Sequence, residues 1–279
     1  MTTSGGIRLY VDVDGVQLEP TDDGLQERPT VVMLHGGPGI DHVATKCAAI
    51  RRLNEVAQVL YYDHRGHGRS DRGSPAEWNL DTWADDVVGL CDALEISRPI
   101  VLGNSFGGFV AQRYLARHPD HPGKVVLCAT APRLDVAAIH DAFVGLAGAE
   151  AGDIARRVFE GDQGALAAFF EQCLPYYSVH GIDGATPRAF GVPDGEMLAH
   201  FESGEHQTMD LAPGLAAARC PVLVLSGELD PIMPARLIDE MVAALPAHLT
   251  TDVRLPGTSH MDVTGPEGTA RIREFILGS

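Results

Sequence analysis

Pro99-Ile100-Val101-Leu102-Gly103-Asn104-Ser105-Phe106-Gly107-Gly108-Phe109-Val110-Ala111 changes character at its centre. Up to Leu102 it is a short apolar run, the pattern of a buried strand; from Gly108 to Leu115 it reads as a helix. Between them stands G-x-S-x-G. Placed between a strand and a helix, that pattern predicts a sharp turn with the Ser105 hydroxyl at its tip, a nucleophile elbow. Gly103 and Gly107 are small enough for strand and helix to approach each other, and glycine tolerates backbone angles that strain other residues. The start of the helix leaves N–H groups unpaired beside the serine, where an oxyanion can be held. Alone, the pattern also fits an ordinary strand-to-helix turn, so the rest of the chain has to supply the partners.

Outward from the elbow, strands and helices alternate. Upstream, residues 30–34 form a buried strand that runs into His35-Gly36-Gly37-Pro38-Gly39. Helical spacing follows over 43–53, and a strand over 56–62 ends in Asp63-His64-Arg65-Gly66-His67-Gly68-Arg69-Ser70. Leu80, Trp83, Val87, Leu90 and Leu94 mark a helix. Downstream, a strand is expected over 124–129, then one over 221–225, a helix over 235–244, a strand over 250–255 and a closing helix over 268–277. Such alternation indicates an α/β fold: a mostly parallel sheet with helices on both faces. At the N-terminus, 7–13 and 16–19 read as strands joined by an Asp14-Gly15 hairpin turn, an antiparallel edge, with 21–29 as a polar loop.

From residue 132 to 213 the rhythm changes. This stretch is rich in Ala, Gly, Phe and acidic residues, with helical patches over 139–146 and 154–170 and no strong strand. It reads as a mainly helical insertion into a core made of 1–131 and 214–279.

The 279 residues include 45% hydrophobic ones, enough for a sizeable core. The formal net charge of −17 argues against nucleic acid or an anionic membrane as partner, both of which attract basic surfaces. Five scattered cysteines without a C-x-x-C fit reduced thiols in a cytoplasmic protein, with Cys91, Cys128 and Cys220 in core segments. Residues 1–10 show neither a basic region nor an apolar run, so no signal peptide is expected, and no apolar run reaches transmembrane length. Oligomeric state is not written in the sequence.

A serine nucleophile needs a base and an acid that orients the base. Both belong at the carboxyl ends of parallel strands, where open α/β sheets bind ligands. Asp230 follows one such strand and His260 the next. Asp230 could instead cap the helix that begins near Pro234, with Glu228 and Asp135 as rival acids; His260 could be an ordinary loop histidine. The order Ser105, Asp230, His260 on successive strand ends favours the triad. The glycine-rich loop at 35–39 would supply the second oxyanion donor, Gly37 N–H pairing with Phe106 N–H. A phosphate-cradling role lacks the lysine that follows such loops. His64-x-x-His67 lacks a second ligand pair, so no metal is expected, and the chemistry calls for no cofactor.

Taken together, His35–Gly39, Asp63–Ser70, Gly103–Gly108, Gly227–Asp230 and Ser259-His260 resemble the α/β-hydrolase superfamily over nearly the whole chain outside the insertion. The H-G-G-P-G form resembles the proline iminopeptidase family of serine peptidases. That resemblance implies that 63–70 braces the oxyanion loop and that 132–213 forms a helical cap. It further implies that glutamates hold the substrate's free amino terminus, Glu228 matching one position and Glu196 or Glu205 serving from the cap. The elbow departs from iminopeptidases, which commonly carry tryptophan at the position of Phe106 and glycine at that of Asn104. The expectation is a serine hydrolase cleaving a small amide or ester, or a short peptide, with an iminopeptidase-like aminopeptidase as the specific form. An esterase, lactonase or carbon–carbon bond hydrolase is the alternative, its pocket lined by Phe143, Phe169, Phe170, Tyr176 and Tyr177. A non-catalytic small-molecule receptor on the same fold is the third.

Overall fold

In a computed structural model, which describes residues 1–3, 5–181 and 193–278, a seven-stranded sheet organises the chain. Its strands are β1 (Val11–Asp14), β4 (Thr30–Leu34), β5 (Gln58–Tyr62), β6 (Ile100–Asn104), β7 (Lys124–Cys128), β8 (Val222–Gly227) and β9 (Thr250–Leu255), while β2 (Leu18–Thr21) and β3 (Gly24–Glu27) pair separately. The order is β1-β5-β4-β6-β7-β8-β9, antiparallel at β1 and parallel throughout the rest.

The central strands are apolar at nearly every position because both faces are covered. Alternation sorts them. Val32, Leu34, Val101, Val125, Leu127 and Val224 face one layer, with the Leu80–Ala93 and Phe106–Arg117 helices. Val31, Met33, Leu102, Val126 and Leu225 face the other, with Ile50, Leu53, Ile272 and Ile276. Strand β9 is the far edge, and its exposed Asp252 and Arg254 form an ion pair that makes it a poor template for further pairing.

The N-terminal edge differs from the expected hairpin. β1 does not turn back onto β2; it pairs with β5, Val11 opposite Tyr62 and Asp14 opposite Val59. The buried run Val59–Tyr62 needs a neighbour on its open side, and β1 supplies it. Gly15 is required for another reason, since a Cβ there would lie 2.8 Å from the Ala57 carbonyl. β2 instead pairs with β3, inside the stretch expected to be loop.

Two expected helices are also interrupted. Residues 43–53 form 3-10 turns on either side of the short helix Ala48–Arg51. Residues 154–170 divide into Ala149–Phe159 and Leu166–Gln172, broken where Gly161 takes φ +93°. Among the described residues, no strand lies between β7 and β8, where the helices Val136–Ala147, Ala149–Phe159, Leu166–Gln172 and Gly195–Ser203 are inserted. No helix among them is long and apolar enough to cross a membrane. All five cysteines are unpaired, Cys91, Cys128, Cys173 and Cys220 being buried.

Candidate active site

The elbow is built by close approach. A Cβ on Gly107 would lie 2.1 Å from the Leu34 carbonyl oxygen of β4, and one on Gly103 would lie 2.4 Å from the Gly107 carbonyl oxygen. With no side chains there, the Phe106–Arg117 helix starts directly against β4 and β6. Ser105 sits between at φ +52°, ψ −114°, a conformation that costs a non-glycine residue about 1–3 kcal/mol. Its neighbours hold it there: Ser105 N–H donates to the Cys128 carbonyl at 2.9 Å, and its own carbonyl accepts from Gly108 N–H at 2.8 Å.

Ser105, Asp230 and His260 come together from three strand ends. With the imidazole proton on Nδ1, Ser105 Oγ donates to His260 Nε2 at 3.0 Å and His260 Nδ1 donates to Asp230 Oδ2 at 2.6 Å. Asp230 uses its other oxygen to accept from Ile232 N–H at 2.8 Å and Met233 N–H at 3.0 Å. The carboxylate therefore both caps the turn after β8 and orients the histidine. Of the rival acids, Asp135 caps the Val136–Ala147 helix through Ala138 N–H and pairs with Arg236, while Glu228 is exposed and accepts from Gly257 N–H.

The glycine-rich loop lies against the elbow. A Cβ on Gly36 would stand 3.6 Å from Ser105 Cβ, and Gly37 takes φ +131°, which only glycine adopts without strain. Phe106 is the first helical residue, so its N–H has no partner within the helix.

Behind this loop stands a dry cluster. His64 N–H donates to His35 Nε2 at 3.1 Å, and the His35 ring packs on those of His64 and His67 at 4.3 and 5.3 Å. Burial lowers the histidine pKa to about 4 at His35 and about 3 at His67. Among the described residues the rings of His64 and His67 keep one hydrogen-bond partner each, Tyr62 hydroxyl and the Arg65 carbonyl, and their Nε2 atoms have none. No group of metal-ligating side chains converges among the described residues. Burial also penalises the Asp63 charge, but hydrogen bonds from His42 Nδ1, Arg69 N–H and His42 N–H outweigh it and hold the carboxyl at about 2. The Phe106 ring fills the space between this cluster and the insertion, 5.7 Å from His67 and 5.1 Å from both Trp83 and Phe201.

The glutamates expected to bind an amino terminus are engaged elsewhere. Glu196 is exposed and pairs with Arg72 at 2.9 Å. Glu205 accepts from Leu80 N–H at 2.8 Å, capping that helix, and lies 3.6 Å from Arg113. Instead the Gly195–Ser203 helix buries Glu202, whose carboxyl accepts from Gln163 Nε2 at 2.8 Å and is pushed up by burial to about 7. Its sequence signal was available: Glu202 falls four residues after Leu198, on the apolar face that carries Met197 and Phe201. Among the aromatics expected to line a pocket, Tyr177 packs edge-on against His260 at 5.2 Å. Phe143 and Phe169 form the insertion's own core, and Phe170 and Tyr176 are exposed.

The family described as alpha/beta hydrolase fold matches residues 29–264, and the chain belongs to it. Over 125 residues the chain is 34% identical to the proline iminopeptidase PfmaB of Pestalotiopsis fici, a match spanning 44% of each chain. Over 102 residues it is 38% identical to a 2-hydroxymuconate semialdehyde hydrolase of a Pseudomonas species, spanning 36% of each. The chain thus matches less than half the length of either relative. A solved proline iminopeptidase from Mycobacterium smegmatis superposes with a TM-score of 0.75 at 22% identity, covering 98% of this chain and 96% of that one, a likeness of fold.

Proposed function

We propose that this protein is a serine hydrolase that cleaves a small ester or amide through an acyl-enzyme. The observation that carries the reading is the continuous relay from Ser105 Oγ through His260 to Asp230. In this scheme Ser105 attacks the substrate carbonyl while His260 takes its proton and later gives it to the leaving group. Asp230 holds the tautomer and stabilises the imidazolium. The N–H groups of Phe106 and Gly37 receive the oxyanion, each contributing about 3 kcal/mol to the transition state. Water, activated by the same histidine, releases the acyl group. Residues 132–213 act as the cap over this chemistry.

An iminopeptidase-like aminopeptidase is the specific form, and Glu202 favours it. A substrate ammonium beside this buried carboxyl would stabilise the carboxylate form that burial now makes costly. The test compares proline, alanine and leucine arylamides with short acyl esters. Ser105→Ala is expected to lower turnover by ~10⁴-fold or more and to abolish labelling by a fluorophosphonate. A requirement for a free amine that weakens in Glu202→Gln supports the aminopeptidase; equal turnover of N-blocked substrates removes it and leaves the esterase. No turnover of any of them, with ligand binding intact in Ser105→Ala, would replace the enzyme by a receptor.

A further inference from the structure

The loop that carries His260 is fastened to the helical insertion by a set of hydrogen bonds that the reaction scheme does not use. Asp262, two residues beyond the histidine, accepts from Ser178 Oγ at 2.6 Å and from Val179 N–H at 2.9 Å. Its second oxygen also accepts from Ser259 N–H at 3.0 Å. Met261 N–H donates to the Tyr177 carbonyl at 2.7 Å, and Ser259 Oγ donates to the Tyr176 carbonyl at 2.8 Å. Ser259 Oγ also lies 3.4 Å from the Leu229 carbonyl, next to Asp230. Three segments far apart in sequence, bearing the acid, the base and the Tyr176–Val179 stretch, are therefore tied at one place. The side chain that this arrangement presents to the imidazole is Tyr177, whose ring meets that of His260 at 77°. Behind Tyr177 stands Phe169 at 6.0 Å, so the ring is backed by the insertion's core.

We propose that Asp262 is a positioning residue that holds Tyr177 against His260, so that seating of the insertion and orientation of the base are one event. The proposal rests on the reading of His260 as the base of Ser105. A carboxylate suits the task because both of its oxygens are pure acceptors facing donors from two different segments. An apolar ring over one edge of the imidazole keeps water from that edge and limits the positions the ring can take.

The test reads His260 directly. In the Ser105→Ala background its ring-proton resonances are followed by NMR at one fixed pH, assigned with His260→Gln. Asp262→Ala and Tyr177→Ala are both expected to remove the ring-current shift that Tyr177 imposes on the His260 ring protons, and Asp262→Asn, whose carbonyl oxygen can still accept from Val179 and Ser259 N–H, to restore most of it. Ser178→Ala, which removes one donor from the other side, gives a smaller shift in the same direction and serves if Asp262→Ala does not fold. With Ser105 present, kcat on an aryl ester falls more than KM rises in the same variants. Loss of thermal stability with unmoved His260 ring-proton resonances in Asp262→Ala and Ser178→Ala would make the contact merely structural and overturn the proposal. Failure of the hydrolase reading is seen separately, as wild-type protein that neither turns over esters nor is labelled at Ser105.

Discussion

On the β4 side of Ser105, positions are set by backbone and by side chains that are missing: Gly36, Gly37, Gly103 and Gly107 let two strands, a loop and a helix touch. On the insertion side they are set by side chains that are present: Tyr177 on His260, Phe201 on Phe106, and Glu202 buried with Gln163. The first side leaves almost no freedom, because a methyl added at Gly103 or Gly107 would collide with a carbonyl oxygen. The second can exchange one side chain for another of similar volume and keep its packing. The difference teaches that one side of the site is fixed by the close approach of backbone and the other by the packing of side chains.

The sharpest way to break this contrast is Gly107→Ala. The new Cβ would overlap the Leu34 carbonyl oxygen, where neither partner can give way, so the cost should exceed ~5 kcal/mol and eliminate the folded protein. Recovery of folded, active protein would show that the elbow is softer than its geometry implies.

Next in size is an acid effect on the same side. His35 and His67 bind protons at about 4 and about 3 in the fold but near 6.5 when unfolded. Between those values the unfolded chain holds protons that the folded chain refuses. Stability is therefore full above about pH 6.5 and falls as pH drops toward 4, by on the order of 5 kcal/mol. Denaturant titrations across that range measure it; a flat profile would mean that the cluster is wet.

The smallest effect belongs to the insertion side and has the opposite sign. Glu202 binds its proton near 7 in the fold and about 4.5 when unfolded, so its burial costs stability as pH rises through that window. Glu202→Gln should leave stability at pH 5 nearly unchanged and raise it at pH 8 by on the order of 1–3 kcal/mol. A variant less stable at pH 8 would mean that the carboxylate has a cationic partner.

The same division governs what the sequence discloses. Ser105, Asp230 and His260 can be found from residue type and strand ends, because tight turns demand glycine at fixed offsets and the sheet's topology fixes where its carboxyl ends lie. The central sheet is legible for the same reason: continuous apolar runs have no other stable home. The N-terminal edge is misread because Asp14-Gly15 carries a turn signal, whereas the pairing of β1 is decided by the exposed side of β5, almost fifty residues away. The contacts of the glutamates are not legible in the sequence because an acidic side chain has no local signature of its partner. Glu205 faces a helix N-terminus and Glu196 an arginine, contacts made between residues more than a hundred apart. Only the place of Glu202 on an apolar helical face hints that its carboxyl is not in water.

The strained serine also has a history within the chain. Ser105 is held at φ +52° partly by Cys128 of β7, and its base arrives on a loop beyond β9. Ser105 is thus among the earlier parts to emerge during synthesis and His260 among the last. Until the sheet has closed through its final strand, the hydroxyl is an alcohol like any other. An unfinished chain, or one that has lost its C-terminal strands, therefore holds the serine without the histidine that the proposed reaction requires.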